Sequence, residues 1–212
     1  MLIGEEQNWL DGEEKAWQEL LKLDHKVVCH NAKADFDDSS NQYVLPILNT
    51  HIFIVPRDRR IWGNSLLADL LLNKLTQYSR LSILWYLIQS KDIPLSGNLI
   101  NPREIDGGLI FEKGSHMLPL DNLVQQYDNN VEGFIQRAVT LGGEHLNYGN
   151  ASVRLFSFPR IPVVFVIWGS DEEFLGHTDI LFDSTCSQHL PADIIWSIAM
   201  MSILVMIETE ST

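Results

Sequence analysis

Between Leu120 and Leu141 apolar residues return every three or four positions, at Leu120, Leu123, Val124, Tyr127, Val131, Phe134, Ile135, Ala138 and Leu141. That is the period of a helix with one buried face. Gly142-Gly143 supplies its stop, and Asp128-Asn129-Asn130 is a point at which it divides in two. Ala16, Trp17, Leu20 and Leu21 repeat in the same way, and Asp11 and Glu14 before them have capping-box spacing. Residues 12–23 are therefore expected to form an amphipathic helix, an N-terminal arm lying against the body. The leucine-rich stretch Leu66–Ile88 predicts one or two buried helices that end before Pro94, with Asn64 and Thr76 or Ser79 as caps. Ile194–Ile207 is apolar on all sides, which predicts a core helix opened by Pro191 at its first position.

The remaining pattern is that of strands. VVCHNA at residues 27–32 and YVLPILNTHIFIV at residues 43–55 predict an antiparallel hairpin or meander, with Pro46 at an edge or bulge and DFDDSSNQ between them as the turn. Residues 94–119 hold four glycines and three prolines and leave room only for short strands. Ala151–Phe156, Val163–Trp168 and Ile180–Phe182 read as three further strands, the middle one apolar throughout and so covered on both faces. Strands and helices are segregated rather than regularly alternating. The expected class is α+β: an antiparallel or mixed sheet packed with several helices in one domain, residues 1–40 as its arm and 41–208 as its core.

Charge narrows the partners. Residues 1–40 carry ten acids and four bases, residues 41–160 ten and eleven, and residues 161–212 eight acids with no Lys or Arg. At a net charge of −13 neither nucleic acid nor an anionic membrane is an expected partner, since both attract clustered cations. The one basic cluster, PRDRR at residues 56–60, reads as a solvated turn. The apolar run at 194–207 is 14 residues long, short of the ~20 a membrane-spanning helix needs. Cys29 and Cys186 form no C-x-x-C pair and the N-terminus is acidic, so a reduced, cytoplasmic setting is expected.

The densest block is FPRIPVVFVIWGSDEEF at residues 158–174, followed by ILFD at 180–183 and HLPADII at 189–195. It resembles the C-terminal signature of a bacterial and archaeal family known only as domain of unknown function 3786. In that signature a proline-led apolar strand ends in Trp, an acidic turn follows, and LFD precedes Leu-Pro and a helix. The resemblance extends to LGG at 141–143, IDGG at 105–108 and the helix around Leu84–Leu87, and covers residues 40–208. It implies no established activity. Members occur mostly in anaerobes and some are fused to an iron–sulfur cluster domain, for which this chain lacks the cysteines. Leu175 stands where the family usually has Pro, and Asp193 where it has Glu, which marks a divergent member.

Asp171, Glu172 and Glu173, with His177, Asp179 and Asp183 behind them, form the one run of oxygen ligands plus an imidazole. Like charges so close together are relieved by a cation, a shared proton or a helix N-terminus. One reading makes Asp171, Glu172 and His177 ligands of a divalent metal in a hydrolase or lyase, with Glu173 as general base. No known ligand spacing such as H-E-x-x-H supports it. Arg154 or Arg160 could instead neutralise an acid of this turn by a salt bridge. The preferred reading is a binding or accessory domain for a small molecule or a protein, needing no cofactor. Trp168, Asp171, Glu172, Phe174 and Asp183 would be its contact residues, facing a concavity closed by the loop at 105–114. Trp168 has a plainer alternative as a core edge with its indole N–H on a carbonyl. Cys186 and His189, three apart, suggest a thiol–imidazole pair, but nothing in the sequence supplies the third group or the oxyanion hole such a nucleophile needs. No G-x-S-x-G, G-x-G-x-x-G or G-x-x-x-x-G-K motif is present.

Overall fold

A computed structural model describes residues 12–112, 117–170 and 175–208. The helix at residues 12–20 (α1) presents Ala16, Trp17 and Leu20 to the core. It is held to the body by Glu13 with Arg80 and Glu14 with Arg59.

The chain then departs from expectation. Residues 27–32 belong to helix α2, His25–Ala32, rather than to a strand. The Asp24 side chain caps it by accepting from Lys26 N, Val28 and Ala32 face inward one turn apart, and Lys33 at φ 51 ends it. Local β-propensity is overridden by a cap and by tertiary contacts at the far end of the helix. The acidic insert is only partly a turn: Asp35–Asp37 is strand β1, pairing antiparallel with β2, Gln42–Ile47.

β2 continues into β3, Thr50–Val55, and β4, Arg60–Trp62, giving a four-stranded antiparallel meander. Pro46 pairs with His51, while β1 stops opposite Val44, so Pro46 lies where β2 has lost its outer neighbour. Its missing N–H leaves no ladder bond unmade there. Residues 57–60 are exposed, as the solvated-turn reading of PRDRR requires.

Leu66–Asp69 (α3) is capped by Ser65, not Asn64. Ser65 Oγ accepts from Ala68 N at 3.0 Å and meets Thr50 Oγ1 at 2.6 Å. A π-helical turn, Leu70–Lys74, leads into α4, Thr76–Gln89. The loop beyond carries β5, Leu99–Ile100, and two short 3₁₀ turns, Pro102–Glu104 and Gly108–Glu112. The long amphipathic pattern divides as expected into α5, Asp121–Tyr127, and α6, Val131–Thr140, with Asn130 capping α6. Gly142 at φ 76 provides the stop, a conformation that favours glycine.

β6, Glu144–Leu146, β7, Ala151–Phe158, β8, Ile161–Trp168, and β9, His177–Asp183, complete a second antiparallel sheet in the order β5-β9-β8-β7-β6. Seven of the eight β8 residues are buried and the eighth is Trp168, so the continuously apolar strand is covered on both faces, as its sequence requires. After the short helix α7, Cys186–His189, comes α8, Ala192–Ile207. Pro191 sits one position earlier than expected, as the extended N-cap. α8 is the buried core helix the sequence predicts. Ile195, Ile198, Ala199, Met201 and Ile203 are fully covered, and its one central polar group, Ser202 Oγ, bonds Ile198 O at 2.7 Å and Ser157 Oγ at 2.6 Å. The class is α+β. No helix among the described residues is long and apolar enough to cross a membrane.

Candidate functional site

Two buried polar groups of the C-terminal block hold the fold. Arg160, in the β7–β8 turn, is 3% exposed. Its guanidinium donates to the carbonyls of His30, Asn31 and Ile93 and to Asp92 Oδ1, and its backbone N–H donates to Tyr86 Oη, which itself donates to Ala32 O. His30 and Asn31 end α2, so Arg160 supplies donors and positive charge where a helix C-terminus is short of both. Arg160 thus neutralises Asp92, whose carboxyl is held below its usual range by the hydrogen bonds of Arg160 and His30. Arg154 pairs with Glu144 across β6 and β7.

Asp183, at the end of β9, is also 3% exposed. Its Oδ1 accepts from Ser96 N and Oγ and from Thr185 N and Oγ1, and its Oδ2 accepts from Gly97 N at 2.8 Å. Burial alone would raise its pKa; the hydrogen bonds from Thr185, Ser96 and Gly97 outweigh it and hold the carboxyl below its ordinary value. This proposed contact residue has its acceptor sites taken up inside the protein.

Trp168 is different. It is 40% exposed at the open end of β8. Its Nε1–H donates to Asp179 Oδ2 at 2.8 Å, and its ring stacks on His177, directly opposite in the register, with centroids 6.0 Å apart. The indole therefore meets a carboxylate, not the backbone carbonyl of a core edge. The chain leaving Trp168 is anchored: Gly169 N donates to Asn150 Oδ1 at 2.9 Å, and Ser170 N and Oγ donate to Asp128 at 3.0 and 2.7 Å. Those bonds from Ser170 hold the Asp128 carboxyl below its usual range. Gly176 faces the same carboxylate, 2.8 Å from where a Cβ would stand. Gly149 and Gly176 both lie against Trp168, and the residues before them, Tyr148 and Leu175, are exposed by 52% and 90%.

Asp171, Glu172, Glu173 and Phe174 lie outside the described residues. Among the described residues no group of three His, Cys, Asp or Glu side chains converges as a metal site, and His177 is placed against Trp168. The loop at 105–112 packs Phe111 on Phe182. Strand alternation sets Phe182 on the face opposite Trp168, His177 and Asp179, so this loop and the indole do not share a concavity.

Cys186 and His189 are both buried. Burial pushes the thiol up to about 11, the opposite of an activated nucleophile. The imidazole Nδ1 accepts from Lys91 N at 3.2 Å, while Nε2 has no partner among the described residues. Burial, with Arg160 and Lys91 nearby and only Asp183 opposing them, lowers the pKa of His189 to about 4. Its ordinary value is 6.5, so the unfolded chain takes up this proton first and stability falls between pH 6.5 and 4, by about 3 kcal/mol at 1.36 kcal/mol per pH unit. Urea denaturation across that window should show the loss, and His189→Asn should flatten it.

A groove of about 510 Å³ between α5 and α6 is lined by Gln126, Tyr127, Asn130, Gly133, Gln136, Arg137 and Thr140. Arg137 and Tyr127 there donate to the Val205 and Met206 carbonyls and so cap α8.

Sequence reasoning singled out Trp168 but not Asp128, Asn150 and Asp92. Their partners lie 42, 19 and 68 residues away in the chain, and no spacing rule reports contacts of that range. The sequence model of a family described as a domain of unknown function, DUF3786, matches residues 24–204. No curated protein and no solved structure matches the chain.

Proposed function

We propose, for a chain that belongs to the domain of unknown function family DUF3786, that it is a single-domain binding or accessory protein whose contact surface is the open β8–β9 end around Trp168. One observation carries the reading: a large aromatic side chain is left 40% exposed while its orientation is set by a hydrogen bond to Asp179 and by stacking on His177. A half-exposed indole contributes little to the core, whereas a pre-oriented one lowers the ordering cost of recognition. The other polar residues of the block favour the same division of labour, since Arg160 and Asp183 are consumed by internal bonds.

Native mass spectrometry on protein purified from its own host tests this. The wild type is expected to carry a bound mass, protein or small molecule, that is absent from Trp168→Leu. The same bound mass in both, or none in either, would reject the surface.

A further inference from the structure

We infer that the occupant of the Trp168 end is a protein segment carrying an arginine or lysine, its cation seated against the indole face and the other oxygen of Asp179. The inference rests on the binding role proposed above and adds its chemistry. Asp179 Oδ2 accepts the indole N–H at 2.8 Å, and no described side chain pairs with the carboxylate's other oxygen. An aromatic ring beside a carboxylate with a free oxygen is a receptor for a guanidinium or ammonium group, since both the ring face and the oxygen attract positive charge.

The chain does not provide that cation from nearby sequence. From Ile161 onward it has eight acids and no Lys or Arg. The described arginines of β7, of the β7–β8 turn and of α6 are committed elsewhere, Arg154 to Glu144, Arg160 to Asp92 and Arg137 to Val205 O. Asp128, fastened to Ser170, adds a further negative charge beside the hairpin mouth. Among the described residues, the carboxylates fastened at this end, Asp179 and Asp128, have no Lys or Arg partner, and complementarity favours a positive partner.

The apolar neighbours point to a protein rather than a free amine. Leu175 and Tyr148, 90% and 52% exposed, adjoin the two glycines that lie against Trp168 and suit apolar residues flanking a cation seated there. An aromatic and aliphatic centre beside charged groups is the usual composition of a protein contact.

The test is a selection from a displayed library of random hexapeptides on the wild-type protein, with counter-selection on Trp168→Leu. Enriched peptides are expected to share an Arg or Lys next to an apolar residue. Replacing that Arg by citrulline in a synthetic copy should weaken binding about tenfold, the range of a desolvated cation–π contact, and Asp179→Asn should weaken it similarly. Enriched peptides without a basic residue, or indifferent to citrulline, would overturn the cation while leaving the surface in place. No enrichment over Trp168→Leu would overturn the protein segment, as would a bound small molecule in the native mass spectrum that Trp168→Leu loses. The binding role itself fails only if the host-purified protein carries the same bound mass, or none, with and without Trp168.

Discussion

Arg160→Met should lower the stability of the protein by about 3–5 kcal/mol, the range for removing one partner from a buried charged network. The methionine fills similar space but donates nothing. The carbonyls of His30, Asn31 and Ile93 would lose their donors, and each buried carbonyl left unpaired costs about 1–3 kcal/mol. The end of α2 should loosen first, because two of those carbonyls belong to it. In a chain of this size each kcal/mol moves the unfolding midpoint by roughly 2–4 °C, so a fall of about 10 °C is expected by circular dichroism. Arg160→Lys should recover only part of it, since an ammonium cannot spread over three carbonyls and a carboxylate as the guanidinium fork does. Asp92→Asn should be milder than either, because the Asp92 side chain is 57% exposed. A midpoint for Arg160→Met within a degree of wild type would remove Arg160 from the account.

Asp183→Ala is the second large effect, expected at about 3–4 kcal/mol. It strands the N–H groups of Ser96, Gly97 and Thr185 and two hydroxyls, at about 1–3 kcal/mol for each donor left without an acceptor. The loop at 96–97 and the turn before α7 should then exchange hydrogen faster than the rest of the sheet. The pH dependence has a definite sign. The folded-state pKa of Asp183 is depressed below the ordinary 3.8, so its contribution is complete above that pH and is lost as the pH falls through the folded-state value. The stability difference between wild type and Asp183→Ala should therefore be constant from pH 5 to 7 and shrink below about pH 4. A difference that persists unchanged at pH 2.5 would mean that the charge on Asp183 is not what binds the loop.

The apolar periodicity made much of the fold readable. The division of the 120–141 segment at Asn130, the all-round burial of α8 and the two-faced burial of β8 each follow from which positions are apolar. The VVCHNA segment did not follow, because its helix depends on Asp24 at one end and on a guanidinium about 130 residues away at the other. Candidate chemistry was legible to a smaller degree. Trp168 and Asp179 are neighbours across two strands, and the alternation around the 168–177 connection brings them together. Asp183 looked like a member of the same acidic group, but burial and its five donors at the far end of β9 tie it to the loop at 96–97 and to Thr185. A carboxylate that accepts one indole N–H and one saturated by five internal donors have the same one-letter code.

Trp168→Leu separates the two tasks most directly, through thermal unfolding followed by circular dichroism beside Asp183→Ala. An exposed indole serving recognition should cost little: a loss of about 1 kcal/mol or less, or roughly 2–4 °C, against a fall of about 10 °C for Asp183→Ala. A fall as large for Trp168→Leu as for Asp183→Ala would contradict that, and would make the indole one more staple of the fold.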